Sequence, residues 1–496
     1  MSLSLGIDLG TSAVKVVLLD ESQEVVASGA MPIATSHPRP LWSEQDPDAW
    51  IAATFAAIDR LARWAGDRMA EVAAVGLSGQ MHGLTLLDRA DRPLRPAIIW
   101  NDGRAHAQAR RLESLGPDVL ARIGVLPMPG FVAPKLLWLA AHEPATLAAT
   151  RRILLPKDHL RLHLTGEYLT DPSDASGAWL LDATTRDWSP AVLSSCGIDR
   201  AVLPGIVEGT AISGYLRPEL AARWGMATRV VVAGGAGDAA AGAIGIGAIE
   251  PGRAFASLGT SGQLFVASDR HRPNVATLVH AYCHGVPARW FQMAAMLNGA
   301  APLAFAARLL GRDDVDALVS EMEAAFRGPS PLLALPYLAG ERTPHNDPFA
   351  TGVVFGLTGA TAPTDVVQAF MEGVAFTFAD ALDALGPGID GVDRIGFIGG
   401  GARSRLWGRM IASVLGLPLV RYAESDLWPA VGAARLGFVA SGAGLAETCA
   451  EPPIADLIEP DFALATAYRP RIEAWRGLYR SLKDNFRSSA ARDGAS

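Results

Sequence analysis

The sequence is short of the residues that make several functions easy to read. Its 496 residues include only three cysteines, Cys196, Cys283 and Cys449, far apart and in no CxxC pair. That spacing argues against both a disulfide framework and a zinc site. Lysine is nearly as scarce: of 43 basic residues only Lys15, Lys135, Lys157 and Lys483 are lysines, and none follows a glycine. The Gly-Lys-Ser/Thr of a Walker A loop is therefore missing, and any nucleotide must be held by another device. No basic run exists along which a phosphodiester backbone could track. The formal charge of −8 is dispersed, which points to small substrates and away from nucleic acid. No linker rich in proline, serine or charge divides the chain, and the join over residues 243–251 is Gly/Ala/Ile-rich, the composition of a packed hinge. Asp8 stands where a signal peptide would continue apolar, so a reducing cytoplasm is the expected location. The one long apolar run, residues 230–249, holds Asp238 near its centre. A carboxylate there costs roughly 3 kcal/mol in a bilayer, so the run is not read as a membrane span.

The length fits two large domains or three of average size. The tetrapeptide LGTS occurs twice, at residues 9–12 and 258–261, each time between apolar runs. Around the first copy, LSLGIDLG, TSAVKVVLLD and EVVASGAMPI predict a three-stranded meander. Asp46-Pro47 then reads as a cap and first residue of a helix running to about Ala65. EVAAVGLS and GLTLLD read as strands flanking Gln80-Met81-His82, and residues 152–155 as another. The pattern restarts at RVVVAGG, a buried strand, followed by the small-residue helix AAAGAIG and the hairpin AFASLGTSGQLFVAS. RIGFIGGGARSRLWGRMIASVLG predicts strand, glycine turn and helix, with PLVRY a further strand. Both halves thus begin with a glycine-turned hairpin and continue as α/β units. A turn of Gly, Thr and Ser offers N–H and hydroxyl donors in a small concavity, so two of them suit a polyphosphate gripped from both sides. The alternative is a favourable hairpin turn used twice.

Several side chains are candidates for chemistry. Asp238 is read three ways: as a helix N-cap, a metal ligand, or a general base at the C-terminal edge of a strand. Asp8, on an apolar strand, needs a partner or points into a cleft toward Mg²⁺. Lys15 is that partner or reaches a phosphate. His82, in GQMHG, is a core histidine or a ligand. The run WNDGR over residues 100–104 has the composition of a polyhydroxyl site, or of a strand end before a helix. Gly399-Gly400-Gly401 before a helix admits close approach of a ligand, or is a tight turn. Glu341-Arg342-Thr343-Pro344-His345 fits no zinc spacing. Gly235-x-Gly237-x-x-Ala240 matches a dinucleotide fingerprint, but Glu250 falls in a turn where an acidic strand end is required.

Together GIDLGTSAVKVVLLD, PLWSEQDPDAW, GLSGQMHG, IIWNDGR, GFVAPKLLW, LLPKDHLRLHLTGE, SLGTSG, YLAGERTPHNDP and IGGGARS resemble the FGGY carbohydrate kinases, most closely the xylulose kinases. They run in family order from residue 6 to about 440. The resemblance implies an α/β protein of two ribonuclease-H-like domains of the actin/Hsp70/hexokinase kind with a cleft between them. The expected division is 1–243, 244–487 and a tail at 488–496. It implies ATP-dependent phosphorylation of D-xylulose with ATP and Mg²⁺. Other sugars of the family, an actin- or Hsp70-like ATPase and an NAD-dependent dehydrogenase stand as alternatives. By motif, Asp238 becomes the general base and Asp8 acts on Mg²⁺ through water. Met81, His82, Asn101 and Asp102 become sugar contacts. Thr11, Ser12, Lys15, Gly259 and Thr260 surround the phosphates, and Gly400, Gly401 and Ser404 lie along the adenosine. The expected partners are the sugar and ATP, with no nucleic acid or membrane, and a homodimer left open. Two positions depart from the pattern: Ala239 replaces a usual Asn or Gln, and Val132 a usual hydroxyl residue.

Overall fold

The computed structural model describes residues 2–312, 314–423 and 427–493. Residues 494–496 of the expected tail lie outside them, and the tail's earlier part continues a helix, as given below. The first lobe is built on a mixed sheet that opens with the expected meander: β1 (Leu3–Leu9), β2 (Ala13–Asp20) and β3 (Val25–Pro32), antiparallel throughout. β4 (Val72–Gly79) lies parallel to β1 on its other side. β5 (Ile212–Tyr215) and β6 (Val231–Ala233) extend the order to β5-β6-β4-β1-β2-β3.

The second lobe repeats the plan. β7 (Ala254–Leu258) and β8 (Gly262–Ser268) form the second LGTS hairpin, and β9 (His280–Cys283) and β10 (Trp290–Met296) continue the antiparallel side. β11 (Ile395–Ile398) runs parallel to β7, β12 (Leu419–Tyr422) parallel to β11, and β13 (Ile454–Ile458) closes the edge. In each sheet a hairpin meander therefore joins a parallel strand at its first member.

The period of two in β2 shows how the first sheet is covered. Val14, Val16 and Leu18 pack with Trp50, Ala57 and Ile58 of α1 (Pro47–Ala65), a helix capped by Asp46. Val17 and Leu19 point the opposite way, to Ala430, Val431, Ala434 and Phe438 of a helix from the far end of the chain. Five further helices matter below: α2 (Pro156–Thr165), α3 (Pro172–Gly177), α4 (Asp238–Gly245), α5 (Arg405–Leu415) and α6 (Trp428–Ala440). α7 (Phe462–Asp493) takes in the start of the tail expected from residue 488.

α4 and α6 are exchanged between the lobes. α6 lies between β12 and β13 of the second sheet in sequence yet packs on the first, where a Cβ at Gly76 would collide with the Ala433 carbonyl. α4 follows the first sheet yet packs with Phe255 and Phe265 of the second. The two helices cross through Gly432, which has room only for a hydrogen against the Ala241 carbonyl. Small residues thus let two backbones approach as closely as helices can, and this crossing joins the lobes. The apolar run over residues 230–249 resolves into β6, a turn and α4, and no helix among the described residues is long and apolar enough to cross a membrane.

Candidate active site

β1, β4 and a short extension, Ala236–Gly237, end side by side, with Asp8 beside Ser78 and Ser78 beside Ala236. The chain then enters α4, so Asp238 emerges just beyond the ends of the parallel strands, where open α/β sheets receive ligands. Ser78 Oγ donates to Asp8 Oδ1 at 2.8 Å, and Lys15 stands opposite Asp8 in the β1–β2 ladder. Of the three readings of Asp238, the cap fails. Gly237 holds the cap position, and the Asp238 carboxylate accepts from its neighbour's amide, Ala239, at 2.7 Å. Burial and the adjacent Asp8 carboxylate push Asp238 up to about 7. Asp8 is also held above the usual carboxylate range by burial, against the opposing pull of Ser78 and Lys15. A carboxyl group that titrates near neutrality is matched to proton abstraction at physiological pH. Among the described residues no three His, Cys, Asp or Glu side chains converge into a cage for a metal ion.

His82 sits on a left-handed backbone, φ 68°, pinned by Lys135 Nζ, which donates to the His82 and Ile98 carbonyls at 2.8 and 2.9 Å. Its Nδ1 lies 2.5 Å from the Gly177 carbonyl. A carbonyl only accepts, so Nδ1 carries the proton and Nε2 presents a lone pair. Burial, reinforced by the Lys135 and Arg342 charges, lowers the ring to about 3 and keeps it neutral. Met81 packs against Gly177 and against Gly237, next to Asp238. Asp238, the Met81 thioether and the His82 imidazole are therefore brought together through Gly237 and Gly177.

The WNDGR run divides. Trp100 Nε1 donates to Thr11 Oγ1 at 2.9 Å. Asn101 is exposed and lines a surface hollow with Trp42 and Leu41. The expectation that Asp102 contacts sugar is corrected. It is buried, both its oxygens accept from Arg104, and the Ser43 amide donates to Oδ2 at 2.7 Å. Arg104 also lies 3.6 Å over the Trp42 ring, so Asp102 fastens the Trp42 loop.

The first LGTS turn closes with Gly10 N–H donating to the Ala13 carbonyl at 3.1 Å. Gln45 Nε2 donates to the Thr11 carbonyl at 2.7 Å, and Thr11 Oγ1, accepting from Trp100, donates to Gln80 Oε1 at 3.3 Å. The Thr11 hydroxyl is thus part of the turn's support, while Ser12 is exposed. Lys15 lines a cavity of about 230 Å³ together with Asp238 and Ala239 and with Ser257 and Gln263 of the second hairpin. The two hairpins face each other across the Asp238 cavity. Gly259 and Thr260 of the second turn line a neighbouring cavity of about 560 Å³ with Gly400, Gly401 and Ser404, floored by Leu303, Val319 and Trp407. Gly399, φ 90°, lies against the Leu258–Gly259 peptide, so turn and glycine run adjoin. Ser404 caps α5, accepting from the Trp407 amide at 3.1 Å and donating to Glu323 at 2.7 Å, and is wall more than free donor. A flat heterocycle suits the apolar floor, and phosphates suit the turns.

The glycine fingerprint at residues 235–240 serves packing. Gly235, φ 77°, lets the turn rest on the Leu77 carbonyl, and a Cβ at Gly237 would strike Met81. Sequence reasoning missed Ser78, Lys135 and Gly177 as supports of the acidic pair and His82. A lone polar residue inside an apolar run, as in AVGLSG and VAPKLLW, was the available signal.

Residues 3–245 match the family description "FGGY family of carbohydrate kinases, N-terminal domain", and residues 254–441 match its C-terminal counterpart. The chain is 45% identical to a xylulose kinase of Escherichia coli (strain K12), over 96% of this chain and 99% of that protein. It is 33% identical to a xylulose kinase of Bacillus subtilis (strain 168), over 98% of each. A solved structure of a xyloylose kinase from Brucella ovis superposes with TM-score 0.93 at 43% identity, covering 97% of this chain and 99% of that one.

Proposed function

The chain belongs to the FGGY family of carbohydrate kinases and is a sugar kinase, and on that footing we propose that it transfers the γ-phosphoryl group of ATP to the terminal hydroxyl of D-xylulose. The product is D-xylulose 5-phosphate. The observation that carries the reading is Asp238, a carboxyl group titrating at about 7 in a cavity lined by both hairpins. The choice of sugar is supported by the xylulose kinases among the relatives.

A sugar hydroxyl is scarcely ionised at neutral pH. Asp238 accepts its proton as the new oxygen–phosphorus bond forms and the bond to the bridging oxygen of ADP breaks. His82 Nε2 accepts from a second sugar hydroxyl, and Met81 bounds the carbon chain. Ser12 and Thr260, with the turn N–H groups, surround the phosphates, and Lys15 adds positive charge beside the transferred group. Adenosine lies in the 560 Å³ cavity along Gly400 and Gly401. Alignment and charge stabilisation supply most of the remaining acceleration. Mg²⁺ fits this site: Asp8 is a hard carboxylate donor whose Oδ2 lies on the Gly10 side, beside the first turn. Such a site suits an ion that shares its ligands with phosphates and water. When bound, Mg²⁺ neutralises charge on the triphosphate.

Ala239 lines the cavity next to Asp238 and offers only a methyl group. Val132 is buried beside Phe131, whose ring lies 4.6 Å from that of His82. Sugar recognition in this reading therefore rests on His82. The same reading divides the chain after residue 243 into a sugar-side and an adenosine-side domain. It places the protein in a reducing cytoplasm, supported by three buried free thiols. The test is ADP release measured by a coupled assay with D-xylulose, D-ribulose, L-fuculose, gluconate and a pentitol. D-xylulose is expected to give the highest kcat/KM. A higher value for another sugar overturns the substrate, and ADP release indifferent to every sugar overturns the reading.

A further inference from the structure

Next to Asp238 the protein buries a set of charges that the proposed reaction does not use. Lys157, Asp158 and Arg161 of α2, Asp171 before α3 and Asp174 within it are all 0% exposed. Lys157 Nζ pairs with Asp158, with Asp171 Oδ2 at 2.9 Å and with Asp174 Oδ2 at 3.6 Å. Apolar side chains of similar volume often replace buried ion pairs without loss of stability, so stability is a weak reason for such a set. Its connections supply a stronger one.

Asp171 caps α3 and accepts from the Ser173 hydroxyl. Ser173 Oγ in turn accepts from the amide of Gly237, the residue before Asp238, at 3.1 Å. At the other end of α3, the Gly177 carbonyl receives His82 Nδ1. Arg161 donates to the Ala233 carbonyl at 2.8 Å and to that of Gly234, on the turn leading to Asp238. Ser176 Oγ accepts from the Cys283 amide of β9, in the second lobe, at 3.2 Å. One short helix therefore holds the turn of the base near its start and the imidazole at its end, and Lys157 clamps both of its acidic residues.

We propose that Lys157 is a positioning residue for phosphoryl transfer: by clamping Asp171 and Asp174 it fixes α3, and with it the separation between the Asp238 carboxylate and His82 Nε2. The inference rests on the kinase reading above. A sugar held at both points then presents its hydroxyl to the base in one register, and an error of about 1 Å there costs up to roughly 10²-fold in rate.

The charges facing Asp238 are Asp8 of β1, Lys15 of β2 and Asp174 of α3, the last in contact with Lys157 and near Asp158 and Asp171. Lys157→Met makes the net charge of that group more negative by one. The added charge disfavours ionised Asp238, so the acid limb of the kcat–pH profile is expected to move to higher pH. Lys157→Met/Asp158→Asn restores the balance and returns the limb to its wild-type position. Ser173→Ala cuts the link to Gly237 without changing charge. It is expected to lower kcat at least about 10-fold, with the KM for ATP and the acid limb unmoved. A purely structural lysine would leave folded Ser173→Ala with wild-type kcat and the limb of Lys157→Met in place, and either result overturns the inference. Should Lys157→Met fail to fold, the kcat of folded Ser173→Ala decides on its own. Absence of sugar-dependent ADP release in the wild type would instead remove the kinase reading.

Discussion

In the unfolded chain the Asp238 carboxyl titrates near 3.8, and in the folded protein burial and Asp8 raise it to about 7. Between those values the native state binds more protons than the unfolded state, so Asp238 makes stability fall as pH rises from about 4 to 7. The carboxylate proposed as the base is thus a burden on the fold above neutrality. Asp238→Asn is expected to raise Tm at pH 8 and to change it less at pH 5, measured by thermal unfolding of both proteins at each pH. A larger gain at pH 5 would contradict this. For activity the sign is opposite: the base works deprotonated, so kcat/KM should rise with pH through an acid limb near 7 and fall away below it. An acid limb below pH 5 would show that another group takes the proton. Asp8, Asp238 and His82 stand out in the sequence as candidates because a polar residue in an apolar run needs a reason. The roles of Thr11, Asp102 and Ser404 do not. Thr11 meets Trp100 89 positions away and Ser404 meets Glu323 81 positions away, and the Ser43 amide reaches Asp102 across 59. No local pattern announces such partners.

At the scale of elements, the two hairpins, α1 and the strand–glycine–helix unit at residues 395–415 were readable from periodicity, caps and turn residues. What could not be read was the exchange of α4 and α6. AAAGAIG and PAVGAARLG declare small residues, but only the folded chain shows which surfaces they admit. Gly432 faces the Ala241 carbonyl, and Gly76 faces that of Ala433. Gly432→Val is expected to destabilise by about 1–3 kcal/mol or more, because it wedges apart the helices that join the lobes. The urea midpoint measures this, with Gly359→Ala, where nothing lies within 4 Å of a new Cβ, as the control expected to match wild type. Equal midpoints for the two variants would refute the tight crossing.

Across the whole molecule, duplication of one plan sets strands of two glycine-turned hairpins around one cavity, and the exchanged helices form the joint between the lobes. Ser257 and Gln263 of the second hairpin reach the same cavity as Lys15 and Asp238 of the first lobe, so neither lobe alone completes the site. Closure about that joint would exclude water and keep ATP from hydrolysis. The most direct test is to quantify, for wild type and Asp238→Asn in parallel, the D-xylulose 5-phosphate formed and the ADP released from ATP and D-xylulose, with ATP binding measured on the same samples. The account predicts equal amounts of the two products from wild type, and turnover lower by roughly 10² to 10⁴ in the variant with ATP still bound. A folded variant that phosphorylates at near wild-type rate, or a wild type that releases ADP without forming the phosphosugar, would contradict it.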